Sequence, residues 1–402
     1  MTIIFYLLPA ILIYFSYRSF RGGIDYLNYF KKELRKPRSS FAPFATIICP
    51  CKRHDDGLAL NLARLFEQDY PSYEIIFVVD DENDPAVSVI KDASRNDLKV
   101  SKLVVAPRAT DSSQKVENLR EAILHSDERS EVFIFVDSDV RPASEWLRHL
   151  VAPLKDGTVR AATGYRWFIS KNPTFASELR NIWNASIASA LGANTKENFC
   201  WGGSMAIRRD TFEQFDIREK WRGTLSDDFT VTRALNAANP PIVFVPQALT
   251  ASIDDCSFRE MLEFTTRQMK ITRVYAPKLW ITSFLGSGLF CVVMIWSLMI
   301  AMFSQHNDVR VWIAVVTLAL VSALSVGKSY LRSKAVRLVM KCYSVELRKQ
   351  MLPQLTLWFL SPFVFLFNSF AALFSRRMTW RGITYEMISA KETRIFTNRD
   401  ER

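Results

Sequence analysis

Long apolar runs occupy the two ends of the chain, and the middle alternates short apolar runs with amphipathic ones. From Met1 to Tyr17 (MTIIFYLLPAILIYFSY) there is no charge, and Arg18 and Arg21 follow. At ~1.5 Å per residue this run reaches about 25 Å, marginal against a hydrocarbon core of about 30 Å. It lacks the basic start and small-residue cleavage site of a secretory signal, so residues 1–20 are expected to be an uncleaved membrane anchor. Near the other end, Leu279–Phe303 is long enough to span with tilt. Val311–Val326 is shorter but uncharged, and Leu355–Phe374 carries Pro362 in its middle. Membrane segments are therefore expected over 279–375.

Lysine and arginine placement sets the orientation. Arg18, Arg21, Lys31, Lys32, Arg35, Lys36 and Arg38 crowd behind the anchor, which puts the middle of the chain in the cytoplasm. Lys328, Arg332, Lys334, Arg337, Lys341, Arg348 and Lys349 make 327–353 a basic interfacial loop on the same side. The last segment conflicts with this pattern. A complete crossing at 355–374 would carry Arg376, Arg377 and Arg381 outside, whereas a re-entrant hairpin broken at Pro362 would return a basic tail, 376–402, to the cytoplasm. Both forms fit the length; the charge rule favours the hairpin.

Residues 40–275 read as one soluble α/β domain. Ala45–Cys49 is a buried strand, Asp56–Glu67 a helix with apolar residues at Leu58, Leu62, Leu65 and Phe66, and Glu74–Val79 a second strand. Lys102–Ala106, the helix Val116–Leu124 and the strand Val132–Val136 follow. Continuous apolar strands indicate a mostly parallel sheet with helices on both faces, and such sheets bind ligands beyond their carboxyl ends. Ser177–Ala193 fits either an amphipathic interfacial helix or an ordinary packed one.

Composition narrows the class. With 402 residues, 49% of them hydrophobic, the chain can bury a core, which excludes disorder. Six scattered cysteines exclude a disulfide scaffold, and Cys49 and Cys51 without a second ligand pair do not make a zinc site. The net charge of +11 is largely juxtamembrane, where it meets anionic headgroups. No basic stripe is interleaved with stacking aromatics, so nucleic acid is not an expected partner.

Chemistry is expected at the strand ends. Glu74–Val79 runs into Asp80, Asp81, Glu82, Asn83 and Asp84, and Val132–Val136 into Asp137-Ser138-Asp139. Carboxylates gathered in this way repel unless a cation sits among them, which argues for a hard divalent metal bound through oxygen. Ser226-Asp227-Asp228 precedes a helical run, where a capping role is the plain alternative. Trp201-Gly202-Gly203-Ser204 lets backbone approach a ligand, but it is not a G-x-S-x-G elbow.

The order of these motifs, from CPCK and EIIFVVDDENDPA through QKVENL, DSD, GGS, SDD and RQMKITR to the apolar end, resembles the inverting, nucleotide-sugar-dependent family 2-type glycosyltransferases of GT-A fold. Within them it is most similar to the ceramide glucosyltransferase branch. The resemblance implies a hexosyltransferase, glucose first, moving sugar from a UDP-sugar to a lipid alcohol of ceramide, diacylglycerol or hopanoid type. It implies Asp80 or Asp81 on the nucleotide, Lys115 near the nucleotide-sugar, Asp137 and Asp139 holding Mg or Mn on the diphosphate, and Asp228 as general base. Asp227 and the final motif, Arg267, Gln268, Lys270 and Arg273, are implied on the acceptor and diphosphate side. That motif departs from the usual (Q/R)-x-x-R-W: Lys270 replaces Arg and Ile271 replaces Trp. The implied location is a bacterial inner membrane, or the Golgi or ER of a eukaryote. A processive polysaccharide synthase would want more spans and an intact motif. A transporter or scaffold would want ionisable residues inside the spans.

Overall fold

The computed structural model describes residues 2–53, 55–95, 100–238, 241–305 and 308–396. Two compact units emerge, each assembled from separated stretches of chain.

The sheet unit comprises Glu33–Lys171, Ala190–Asp254 and the segment from Arg376 onward. Its larger sheet has seven described strands, β1 (Ala45–Pro50), β2 (Tyr73–Val79), β3 (Ser101–Val105), β4 (Val132–Phe135), β5 (Ala161–Ile169), β6 (Met205–Arg208) and β7 (Ile242–Ile253). They lie in the order β3-β2-β1-β4-β6-β5-β7. Pairing is parallel except at β6, which runs antiparallel to both β4 and β5. The apolar runs behave as expected of doubly covered strands: Ile47, Ile75 and Ile134 stand in register and are all fully buried. The helix Gln114–Leu124 packs on β1 and β2, and Trp146–Val151 on β5, β6 and β7. Trp221 meets Phe135 and Phe212 edge to face on one side of the core, with Phe135 and Trp221 ring centres 5.5 Å apart. The helix expected from Asp56 starts only at Leu58, because Gly57 at φ +85° is left-handed and cannot join it.

The basic tail expected at 376–402 is, over its described part, a folded sheet. Strands β8 (Arg377–Trp380), β9 (Ile383–Ser389) and β10 (Glu392–Phe396) form an antiparallel meander. Met378, Tyr385, Met387 and Thr393 are buried, while Arg377, Thr379 and Arg394 are exposed. This period-two alternation is what makes the segment a sheet rather than a charged tail.

The helical unit comprises Met1–Lys32, Asn172–Ser189 and Asp255–Ser375. The anchor expected at 1–20 is the first part of a longer helix, Thr2–Glu33, whose Leu12 packs with Phe290, Val293 and Val321. Among the described residues, three helical stretches are long and apolar enough to cross a membrane: Pro277–Phe303, Val309–Val339 and Met351–Phe374. Their outward faces carry exposed Leu285, Val292, Trp312 and Leu320, which suits lipid. Much of the expected basic loop at 327–353 is helical, since Val309–Val339 runs straight through its first part. The last stretch is broken by a 3₁₀ turn at Leu357–Leu360, and Pro362 sits in the first turn of Ser361–Phe374, where its missing N–H costs nothing. Phe175–Ala188 is buried almost all round, with Trp183 stacked on Phe365 at 4.9 Å. It is thus a packed helix, not an amphipathic one lying in an interface.

Candidate active site

Parallel pairing of β2, β1 and β4 sets three strand ends side by side, and each releases a charged residue there. Lys52, after β1, reaches Asp80, after β2, with 2.6 Å between Nζ and Oδ2. Asp80 Oδ1 is buried and has no hydrogen-bond partner. Asp81 turns the other way. It accepts the Asn83 backbone N–H at 2.9 Å, a bond that holds its carboxyl below the usual range. Of the two aspartates, Asp80 is the one with a buried, unpartnered oxygen.

Beyond β4 the chain places Asp137 between two cations. Lys115 stands in the first turn of Gln114–Leu124, which is capped by Ser113 Oγ accepting from Val116 N–H. Its Nζ lies 2.8 Å from Asp137 Oδ1 and 3.2 Å from Asp227 Oδ1. From β5, Arg166 places Nη2 3.0 Å from Asp137 Oδ2 and Nη1 3.2 Å from Asp139 Oδ2, with its plane 4.8 Å from the Trp201 ring centre. Burial works against the Asp137 charge, but Lys115 and Arg166 outweigh it and hold the carboxyl below its ordinary range. Burial likewise opposes the Lys115 charge, and Asp137, Asp227 and Asp228 together more than reverse that. For Asp227 burial wins over Lys115, and with Asp228 and Asp137 nearby the carboxyl is pushed up to about 6.

The third acidic pair opens the helix Asp227–Ala238, and its two members differ. Asp227 is buried, with Oδ2 unpartnered. Implied on the acceptor and diphosphate side, it is buried against Lys115. Asp228 is half-buried. Its Oδ1 accepts from Ser226 Oγ at 2.5 Å and from Phe229 N–H at 2.7 Å, and its Oδ2 has only a long contact, 3.4 Å, from Gly202 N–H. Gly202 and Gly203 allow these approaches. A Cβ on Gly202 would collide with Asp227 Oδ2 and lie 3.1 Å from Lys115 Nζ; one on Gly203 would lie 2.8 Å from Asp137 Oδ2. Ser204 is structural, donating to Ala248 O and accepting from Trp146 Nε1.

Among the described residues, no three His, Cys, Asp or Glu side chains form a metal cage. Asp137 and Asp139 nevertheless suit a hard cation that takes its remaining oxygens from a diphosphate and water, and Asp139 Oδ1 is buried without a partner. Cys49 and Cys51 are free thiols with sulfurs 3.9 Å apart.

Arg267, Gln268, Lys270 and Arg273 lie on Phe258–Tyr275 in the helical unit. Arg273 Nη1 donates to Ala372 O and Leu373 O, closing the end of Ser361–Phe374, and sits 5.6 Å from the Trp280 ring centre. Arg267 lies over Phe264, and burial holds Lys270 below its ordinary range.

Two site cations escaped sequence reasoning, Lys52 and Arg166. The second had a signal. Arg166 is the one charge in the strand AATGYRWFI, and the register of β5 against β7 shifts between Thr163 and Tyr165, at Gly164. A glycine and a lone charge in an apolar strand mark a bulge that re-aims a side chain.

The sequence pattern of glycosyl transferase family 21 matches residues 9–393 of the chain. A ceramide glucosyltransferase of Komagataella phaffii is 33% identical over 88 residues, 22% of this chain and 16% of that protein, so only a small part of the relative's length is matched. Among solved structures, the mannosyltransferase PcManGT from Pyrobaculum calidifontis, in complex with GDP-Man and Mn2+, is similar with a TM-score of 0.44 at 17% identity, over 90% of this chain and 99% of that one. GalNAc-T7 with UDP, GalNAc and Mn2+ is similar with a TM-score of 0.42 at 14% identity, over 55% of this chain and 45% of that one.

Proposed function

This chain belongs to glycosyl transferase family 21, and we propose that it moves a hexose, glucose first, from a UDP-sugar to a lipid alcohol of ceramide, diacylglycerol or hopanoid type. One observation carries the reading. The half-buried Asp228 has Oδ1 fixed by Ser226 and Phe229 and Oδ2 nearly free, and the charge net of half-buried Lys115 and Asp137 with buried Asp227 adjoins it. A base with one oriented oxygen and one available oxygen is what proton removal from a weakly nucleophilic hydroxyl requires.

In this reading Asp80 accepts a nucleoside N–H or hydroxyl through Oδ1, while Lys52 holds its other oxygen. Asp137 and Asp139 would hold a divalent cation, Mg or Mn, which supplies positive charge to the diphosphate as it departs. Lys115 and Arg166 fix those two carboxylates in place. The acceptor oxygen attacks the anomeric carbon as its proton passes to Asp228 Oδ2. The bond from that carbon to the diphosphate breaks with its electron pair, and UDP leaves. A single base and a single displacement give inversion, by analogy with inverting glycosidases. In this reading the sheet unit is cytoplasmic, which the basic residues from Arg18 to Arg38, after the apolar start of the chain, support.

The test is expression in a host without glycolipids of this kind, followed by lipid extraction and mass spectrometry with UDP-glucose supplied. A hexosylated lipid is expected. Free UDP and hexose without any glycolipid would reject the lipid acceptor, and no turnover of any UDP-sugar would reject the donor.

A further inference from the structure

The C-terminal meander packs on the seven-stranded part of its unit, and three of its contacts lead to the site. Its first turn, Arg381-Gly382, has both residues at positive φ, +51° and +81°, the pattern of a tight type I′ hairpin turn. Asparagine or aspartate is the usual partner of glycine there, so an arginine held left-handed marks a side chain that is needed for its tip. That tip bonds Asp55 through both Nη atoms, with Nη1 2.5 Å from Oδ1. Asp55 lies on the loop that carries Lys52, the partner of Asp80. Along β9, the buried Tyr385 Oη accepts the Gln114 N–H at 3.2 Å, one residue before Lys115. On the turn before β10, Lys391 O lies where a Cβ on Gly223 would sit, ahead of Ser226-Asp227-Asp228.

We propose that this meander is part of the donor site and that Arg381 is one of the residues that bind the donor's diphosphate. The inference rests on the UDP-sugar reading given above. A guanidinium has five N–H donors. Asp55 engages one edge, and the remaining donors suit phosphate oxygens, which a planar fork matches well. The charge environment agrees: Asp55 first, then Asp139 and Asp137, raise Arg381 above its ordinary range, and Arg381 in turn helps hold Asp137 down.

Binding of UDP and of uridine to the full chain in detergent, with Mn2+ present, separates a phosphate contact from a prop. Arg381→Ala should weaken UDP on the order of tenfold or more and leave uridine unchanged. Arg381→Lys, which keeps the charge but not the fork, should weaken UDP less and again spare uridine. Arg394→Ala, exposed on β10, should change neither. Unchanged UDP affinity in Arg381→Ala overturns the inference, as does an equal loss for both ligands, which would make the turn a support only. If that variant does not fold, Arg381→Lys decides: equal effects on both ligands, or none, overturn it. A wild-type chain that binds no UDP sinks the donor reading itself, whereas wild-type binding with Arg381→Ala unaltered sinks only this step.

Discussion

Lys115→Met removes the one charge that Asp137 and Asp227 share while keeping most of the side chain's length. Asp137 retains Arg166 at 3.0 Å, but Asp227 loses the cation that now stands 3.2 Å away and remains buried beside Gly202. Leaving a buried carboxylate without its partner costs roughly 3–5 kcal/mol. The cost depends on pH in a definite sense. Asp227 is already raised from 3.8 to about 6, which corresponds to roughly 3 kcal/mol at 1.36 kcal/mol per unit. A carboxyl raised in the folded state binds its proton more tightly there than in the unfolded chain. Its contribution is therefore complete below about pH 4 and is lost as pH climbs through about 6. Without Lys115 the folded value rises further, so the variant keeps losing stability above pH 6, where the wild type has levelled off. Thermal unfolding in detergent at pH 5.5 and pH 8 reads this directly. The gap between variant and wild type should be wide at pH 8 and narrow at pH 5.5, and Lys115→Met with Asp227→Asn should regain part of it. An equal gap at both pH values would refute the argument, because Asp227 would then not be the group left unpaired.

Asp228→Asn keeps the shape of the capping turn but cannot take a proton, so turnover should fall by at least about a hundredfold with UDP affinity within a few-fold; retained turnover removes Asp228 as the base. Asp139→Ala should abolish the enhancement of UDP binding by Mn2+, and an unaltered calorimetric metal titration would count against the two-aspartate site. Gly202→Ala must displace Asp227 or Lys115 and should lose activity, whereas Gly192→Ala, with open space around it, should be silent; equal activity in both means the close approach is not needed. The meander and the seven-stranded sheet belong to one unit, which can face only one side of a membrane. The chain between Asp255 and Ser375 should then cross an even number of times, with the broken stretch Met351–Phe374 returning to its starting side. A reporter fused to the C-terminus should mark the same side as an epitope at the exposed Lys155–Gly157 turn, and opposite sides would reject the re-entrant form.

What could be read in advance follows from the range of the forces involved. Strands buried on both faces announce themselves as apolar runs, so β1, β2 and β4 were legible almost to the residue, and so was the crowding of acids at their ends. The meander was not. Met378, Tyr385 and Met387 alternate with polar residues over strands too short to stand alone, and three arginines beside them read as a charged end. What makes them a sheet is docking: Tyr385 is 1% exposed because it lies against Gln114, 271 positions earlier in the chain, and no local pattern carries such a contact.

The site divides along the same line. A carboxylate is easy to nominate from a motif, but its task depends on which cation lies within about 4 Å of it, and those cations come from other strands. Asp227 and Asp228 are neighbours of one chemical type, and apart from the motif resemblance no pattern of polarity or spacing separates them. Lys115 separates them, by taking the first into the interior and leaving the second half-open, and the two glycines before Ser204 make room for that arrangement. Arg166 instead ties Asp137 and Asp139 together, from a strand where a glycine and a lone arginine among apolar residues gave the warning. A buried charge in an otherwise apolar strand has to be paired, so the search for its partner leads to the same carboxylates that the motifs nominate.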